Sequence, residues 1–492
     1  MRRKLPIFYS ALMLTGVNLL LRFIGTAFQV FISGQIGAEG VGLLQLVLSV
    51  GGMSLTAGIA GVRTATMYLV AEELGKNRKQ NTPWILSGCM AYSIICSGAV
   101  ALILYLLSPY LAENWISDPR SLEAIRLLAA FLPVSCLCGV FSGYFIAANR
   151  VGTLAAIEVA EQLLSMAVTA SALVFWAHSD PGKACQAVVL GSSCGAVLTL
   201  ISLSILCLRQ SIRPGTKIPT TRRLLDTALP LALADDLKAG ISTLENLMLP
   251  KRLALYTTAA LALFGTVCGM VFPILMFPAA ILFGLTELLI PEMARCRAAG
   301  SHGRIHYLMH RSLRLALIYG TLCSGVLFLS APELCQALYQ SRDAGTYLRW
   351  FAPLTVMLYC DIVTDAMIKG LGQQKVSVRY NILTSAMDVA FLFLLLPKFG
   401  IMGYFFSFLV THALNFNLSL RRLIKITRQP IDLCSALLTL GCGLAGAGLC
   451  MEVPSPWLRC LAFGAVYFSA LFLFRILGKE DIQWLKGLVY NK

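Results

Sequence analysis

Residues 5–33 read LPIFYSALMLTGVNLLLRFIGTAFQVFIS, and the fold turns on this stretch. It exceeds the roughly 20 mostly apolar residues that a membrane helix needs. Its only charge is Arg22. Thr15, Asn18, Arg22, Gly25, Gln29 and Ser33 recur at three- or four-residue steps, so one helix carries one polar stripe on an apolar surface. A charge in hydrocarbon costs roughly 2.5–3.5 kcal/mol on insertion scales, so the stripe must face protein or water. The stretch predicts a membrane helix beside a polar cavity.

The rest of the chain repeats the pattern. Of 492 residues, 57% are hydrophobic and only 13% charged, and the mean hydropathy is +0.75. This excludes a disordered chain, a coiled coil and an ordinary soluble enzyme. Apolar runs predict fourteen spans, near 5–33, 41–71, 84–108, 122–148, 153–177, 184–208, 222–249, 256–290, 309–331, 346–369, 377–397, 402–420, 431–450 and 457–476. The second and eighth are long enough for a tilt or kink, and Pro273 and Pro278 suggest a break in the eighth.

The net charge of +16 belongs at a membrane surface rather than on nucleic acid. With a cytoplasmic amino terminus, the inside segments hold 28 of the 40 Lys and Arg and the outside segments nine; Arg22, Arg63 and Lys238 lie within spans. The asymmetry predicts that both termini are cytoplasmic. Met1-Arg2-Arg3-Lys4 leads straight into the first span, so no cleaved leader is expected. The 16 cysteines are scattered without a framework spacing and read as small core residues.

An offset of 220 residues places Phe131 and Pro133 on Phe351 and Pro353, and Gly152, Leu163 and Ser165 on Gly372, Leu383 and Ser385. This predicts a parallel pseudo-repeat. Residues 1–215 form one six-helix bundle, 216–428 a second, and 429–492 two added helices and a tail. The same offset carries Thr15, Asn18, Arg22 and Gly25 onto Asp235, Lys238, Ser242 and Glu245. Two stripes in one register point to a shared polar cavity. Ser49, Thr56, Arg63 and Thr66 add to it from the second span, and Asp361, Asp365 and Lys369 stand at i, i+4 and i+8 in the tenth. Glu72, Glu73 and Glu292 belong at the cytoplasmic membrane edge.

No metal, cofactor or catalytic residue is expected. His302, His306 and His310 share a helical face, but no Cys or acid completes a site. His412 with Asn415 and Asn417 stands without other support for acyl transfer, and there is no Walker motif.

Three segments carry a resemblance. They are Arg22-Phe-Ile-Gly25 with Ile36-Gly-Ala-Glu-Gly-Val-Gly-Leu-Leu-Gln45, Val70-Ala-Glu-Glu73, and Asn246-Leu-Met-Leu-Pro-Lys-Arg-Leu253. The chain resembles, over essentially its whole length, the stage V sporulation protein B family of polysaccharide transporters, within the multidrug/oligosaccharidyl-lipid/polysaccharide exporter superfamily. The resemblance implies alternating access in a bacterial cytoplasmic membrane and a polyprenyl-diphosphate-linked sugar, such as a peptidoglycan or polysaccharide precursor, as cargo. It implies that Arg22 and Arg63 hold the diphosphate. The family's basic residue before Val-Ala-Glu-Glu stands further upstream here, as Arg63.

Independently, a diphosphate crossing hydrocarbon requires cations and hydrogen-bond donors. Asn18, Gln29, Ser242 and Asn246 are the candidate sugar-binding residues. Asp235, Lys238, Glu245, Asp361 and Asp365 are the candidates for coupling to Na⁺ or H⁺. The polyprenyl tail can remain among membrane lipids or in a lateral groove that includes the last two spans. A cation-coupled multidrug exporter of the same superfamily is the alternative. A membrane glycosyl ligase or polymerase would need a larger outer loop than this chain has.

Overall fold

The computed structural model describes residues 5–76, 78–148, 150–177, 180–209, 220–430 and 432–477. They contain helices and no strand, as hydrocarbon demands of a backbone that must satisfy its hydrogen bonds within each segment. The helices are α1 (Leu5–Ile59), α2 (Val62–Gly75), α3 (Thr82–Tyr110), α4 (Leu122–Ala147), α5 (Val151–Ala172), α6 (Pro181–Leu208), α7 (Thr220–Leu253), α8 (Ala260–Phe264), α9 (Phe272–Met276), α10 (Ala279–Ala298), α11 (His302–Tyr339), α12 (Arg342–Phe351), α13 (Leu354–Gly370), α14 (Gln374–Phe399), α15 (Ile401–Thr427), α16 (Leu433–Cys450) and α17 (Pro456–Leu473).

The chain is an all-α polytopic membrane protein. Among the described residues, ten helical runs are long and apolar enough to cross a membrane, or twelve when two bent pairs are each taken as one span. One of the ten, Leu19–Leu74, has 56 residues. At 1.5 Å per residue it would extend about 84 Å as a straight rod, against ~30 Å of hydrocarbon. It is not straight, because α1 is two helices joined at Gly37, where the backbone leaves helical geometry (φ 67°). α7 is absent from the ten because charges recur along its whole length, among them Asp226, Asp235, Asp236, Lys238 and Glu245. It still buries Leu224, Ala228 and Ala232 and exposes Leu225, Leu229, Leu233 and Leu237. Counting α1 twice and adding α7 makes the structure compatible with fourteen spans.

Three expected spans are interrupted. The second breaks at Ala60–Gly61, between α1 and α2. The eighth divides into α8, a π-helical stretch at Gly265–Val271, α9 and, after Phe277-Pro278, α10. The tenth is α12 and α13, bent by 56° where Pro353 removes a backbone donor.

By contact the chain forms two compact units, Met1–Gly269 with Asp388–Tyr404, and Met270–Met387 with Phe405–Lys492. In the first, Val62 and Leu69 of α2, Ile85 of α3, Val140 and Phe145 of α4, Leu203 of α6, and Leu224 and Ala228 of α7 form one core. In the second, Leu329 of α11 and Cys442 of α16 pack with Phe463, Tyr467 and Leu471 of α17. Large apolar side chains such as Ile95, Leu106, Phe175, Leu444 and Trp457 remain exposed, a surface suited to lipid.

Candidate functional site

α1 and α7 pack side by side within the first unit, so the two helices that carry polar stripes are neighbours. Asn246 Nδ2 donates to Ser49 Oγ (3.1 Å), and Thr243 Oγ1 donates to the Ser49 carbonyl (3.2 Å). Further along α1, Gln29 Nε2 reaches the Gly269 carbonyl at 3.4 Å. Two expected sugar-binding residues, Gln29 and Asn246, thus hydrogen-bond across elements. Ser242 is exposed on α7. The Asn18 side chain lies outside the described residues.

Arg22 is exposed on α1 and Arg63 on α2. Arg63 is fixed at its backbone, since a Cβ on Gly143 of α4 would stand 2.4 Å from the Arg63 carbonyl oxygen. Its side chain has Glu158 of α5 within electrostatic reach. One turn along α5, Glu161 Oε2 accepts a 2.6 Å hydrogen bond from Thr199 of α6. Arg63 thus has an acid of α5 near it within the same bundle.

The five candidate coupling residues divide between the units. Asp235 and Lys238 are exposed on α7, and no ion pair joins these two described residues. Glu245, two turns along, hydrogen-bonds the Asp388 carboxyl group of α14, close to Cys268 and Tyr404. Asp388 and Tyr404 are buried. In the second unit Asp361, Asp365 and Lys369 lie along one face of α13, as their spacing requires. Asn415 Nδ2 donates to Asp361 Oδ2 (3.0 Å). Lys369 Nζ pairs with Asp365 Oδ2 (2.6 Å), and Ser377 donates to the other Asp365 oxygen. Asp361 Oδ1 and Asn415 Oδ1 are both buried with no hydrogen-bond partner.

A trough of about 980 Å³ runs through the second unit among α11, α13, α15 and α16. Leu317, Phe328, Met357, Phe416, Leu440 and Leu444 line its length, and His310, Arg314, Asp432 and Arg475 stand among its polar lining residues. Of the last two helices, α16 lines this trough, and α17 packs against α11 and α16.

Sequence reasoning missed Asp388, Glu158 and Glu161. Each is an acid inside an apolar run, the signal that selected Asp361, and each shares a three- or four-residue polar stripe, Glu158 and Glu161 with Ser165 and Thr169, and Asp388 with Ser377, Asn381 and Thr384. The histidines meet ordinary contacts. His306 Nε2 bonds the Thr427 carbonyl at 2.9 Å, and His412 stacks on Phe408 at 3.8 Å.

A family model described as "Polysaccharide biosynthesis protein" matches residues 8–253. Stage V sporulation protein B of Bacillus subtilis (strain 168) is 24% identical over 511 aligned residues, covering 96% of each chain. Sporulation protein YkvU of the same organism is 20% identical over 278 residues, covering 55% of this chain and 62% of its own. Among solved structures, the lipid II flippase MurJ in an inward closed conformation is similar with a TM-score of 0.69 and 11% identity, over 94% of this chain and 98% of that one. A MATE-family multidrug resistance transporter in an inward-facing conformation gives a TM-score of 0.62 with 16% identity, over 84% and 99%. Those likenesses establish a common architecture. With half its length matched by the family model, the chain belongs to the polysaccharide biosynthesis protein family.

Proposed function

We propose that this chain is a flippase. It moves a polyprenyl-diphosphate-linked oligosaccharide or peptidoglycan precursor across a bacterial cytoplasmic membrane by alternating access, without catalysis, and both its termini are cytoplasmic. Its working parts are the six-helix halves 1–215 and 216–428 with the added segment 429–492. The observation that carries the reading is the pair of exposed arginines, Arg22 and Arg63, in a membrane bundle with the MurJ-like fold. A guanidinium offers planar, paired donors that match a diphosphate and stays charged at any physiological pH. Asn18, Gln29, Ser242 and Asn246 are the polar wall for the sugar. The tail stays among membrane lipids or lies in the apolar trough of the second unit, and the polar residues serve the headgroup. The family and the stage V sporulation protein B relative support a cell-envelope cargo.

Asp235, Lys238, Glu245, Asp361 and Asp365 are assigned to coupling with Na⁺ or H⁺. Lys369 occupies a carboxylate oxygen of Asp365, the position an incoming cation would compete for. The likeness to MATE transporters favours a second reading, a cation-coupled exporter of amphiphilic drugs.

The test is flipping of a fluorescent polyprenyl-diphosphate sugar in proteoliposomes. Charge-assisted hydrogen bonds are worth about 1.5–3 kcal/mol, so Arg22→Ala should slow flipping roughly ten- to hundredfold, with normal abundance in the membrane. Arg22→Lys should recover part of the rate, because an ammonium lacks the fork. Normal flipping by Arg22→Ala, or transport of cationic drugs without the lipid, would overturn the reading.

A further inference from the structure

α7 is joined to α2 by a charged clamp at one end. Arg223, in the first turn of α7, directs its guanidinium at two successive carboxylates that end α2. Its Nη2 lies 2.7 Å from Glu72 Oε2 and its Nη1 3.2 Å from Glu73 Oε1. The remaining oxygens are also taken. Glu72 Oε1 pairs with Lys76 Nζ at 2.5 Å, and Glu73 Oε2 accepts from Asn81 Nδ2 at 2.9 Å. Glu73 and Asn81 are buried. A half-exposed arginine thus closes a network of two acids and two bases around a buried carboxylate.

Below the clamp the seam is apolar and tight. Leu224 and Ala228 of α7 share a core with Val62, Ala65, Leu69 and Val70 of α2. At Gly61 a Cβ would stand 2.5 Å from the Ala228 carbonyl oxygen. Toward the other end of the run, the segment after the Gly37 kink meets the chain that follows α7 through glycines. A Cβ on Gly42 would lie 2.3 Å from the Leu261 carbonyl oxygen, and one on Gly265 1.9 Å from that of Ala38.

The two ends differ in chemistry. Glycine-to-backbone contacts admit no water and lose their packing when parted. The partly exposed Arg223–Glu72 pair exchanges for water at less cost than packed backbone, and the buried Glu73 keeps its Asn81 hydrogen bond when Arg223 leaves. A seam that opens repeatedly at one end is best closed there by charge. Arg63 stands nine residues before Glu72 along α2, about 14 Å deeper.

We propose that the Arg223–Glu72–Glu73 clamp is the latch of the inner gate. When made, it shuts the seam between α2 and α7 and separates Arg63 from the cytoplasm; when released, it admits the cargo headgroup. This deepens the flippase reading and rests on its alternating-access mechanism.

The experiment uses the full-length chain with its sixteen cysteines replaced and one reporter, Thr56→Cys. Thr56 lies seven residues, two helical turns, beyond Ser49 and on the same face of α1, the face that meets Thr243 and Asn246. An impermeant maleimide is added from the side that reaches a cysteine at Lys79. Arg223→Gln should raise the labelling rate at least fivefold, equivalent to about 1 kcal/mol of closed-state preference. The pair Glu72→Gln with Glu73→Gln should do the same. All three together should add nothing further, because both changes remove one contact. If Arg223→Gln fails to accumulate, Arg223→Lys is read instead; it keeps the charge, loses the fork, and should give about a twofold rise. Unchanged labelling in the variant read, or effects of the two sides that multiply, would overturn the latch. Labelling needs no cargo, so a latch that behaves as expected beside failed lipid flipping would condemn the cargo reading alone.

Discussion

Gly61 turns left-handed (φ 69°), and its missing side chain is where α7 passes. Alanine would incur the left-handed strain of roughly 1–2 kcal/mol and a collision with the Ala228 carbonyl. Gly61→Ala should therefore lower the temperature at which detergent-solubilised protein loses its monodisperse peak by several degrees. Gly52, whose Cβ would meet nothing within 4 Å, should tolerate the same change. Single residues were legible in the sequence when chemistry and period agreed. Arg22 and Arg63 stood out because a lone base in an apolar run has no cheap explanation. Asp388 carries the same cost and shares a polar stripe with Ser377, Asn381 and Thr384, but its relation to Glu245 is a contact across 143 positions that no local pattern records. The Asp361–Asn415 hydrogen bond spans 54 residues and was hidden for the same reason.

At the level of elements, apolar runs located the helices, and the prolines of the eighth span located its break at Pro278; the bend in the tenth span was not expected. Pro353 marks a 56° bend, whereas Pro133 and Pro332 lie inside the continuous helices α4 and α11. Sequence does not separate these cases, because a membrane helix tolerates one lost hydrogen bond where neighbours re-satisfy the freed carbonyl. The break at Gly37 falls in the connection expected between the first two spans, and that at Gly61 lies in a second span long enough for a kink; its position within the span is not legible, since a glycine in an apolar run also serves close packing. The α5–α6 pair shows that second use. A Cβ on Gly191 would stand 2.0 Å from Thr169 Oγ1 and 2.6 Å from the Ser165 carbonyl oxygen. Gly191→Val should force the helices apart and cost at least the 1–3 kcal/mol typical of overpacking. Gly98→Val on α3, with nothing within 4 Å, should leave stability within about 0.5 kcal/mol. Thermal unfolding of the two purified variants distinguishes them, and equal stability would mean that α5 and α6 are not held by that contact.

For the whole molecule, composition alone decided a membrane protein, and the charge alternation supplies an orientation that remains to be measured. Cysteines placed at Asn114, Asp180, Arg342 and Ser455 should react with an impermeant thiol reagent from outside, and one at Lys79 should not. Transport by such a molecule needs an energy source, and a gradient can supply it. One charge moving through 100 mV is worth about 2.3 kcal/mol, enough for a nearly fiftyfold bias. The acids of α13 suit that use because their contacts are exchangeable. Lys369 pairs with one Asp365 oxygen and Ser377 donates to the other, while the buried Asp361 Oδ1 and Asn415 Oδ1 wait beside them. A Na⁺ ion or a proton arriving at Asp361 and Asp365 would displace the ammonium, whose position then depends on the gradient. A permanent Asp365–Lys369 pair would instead only close the wall of α13. Asp365→Asn combined with Lys369→Gln keeps size and hydrogen bonding and removes both charges. If the acids couple transport, the double variant should still equilibrate lipid between leaflets but no longer accumulate it under imposed Na⁺ or proton gradients. Retained accumulation would assign the Asp365–Lys369 pair to structure and move the coupling role to the other intramembrane acids, first the Glu245–Asp388 pair.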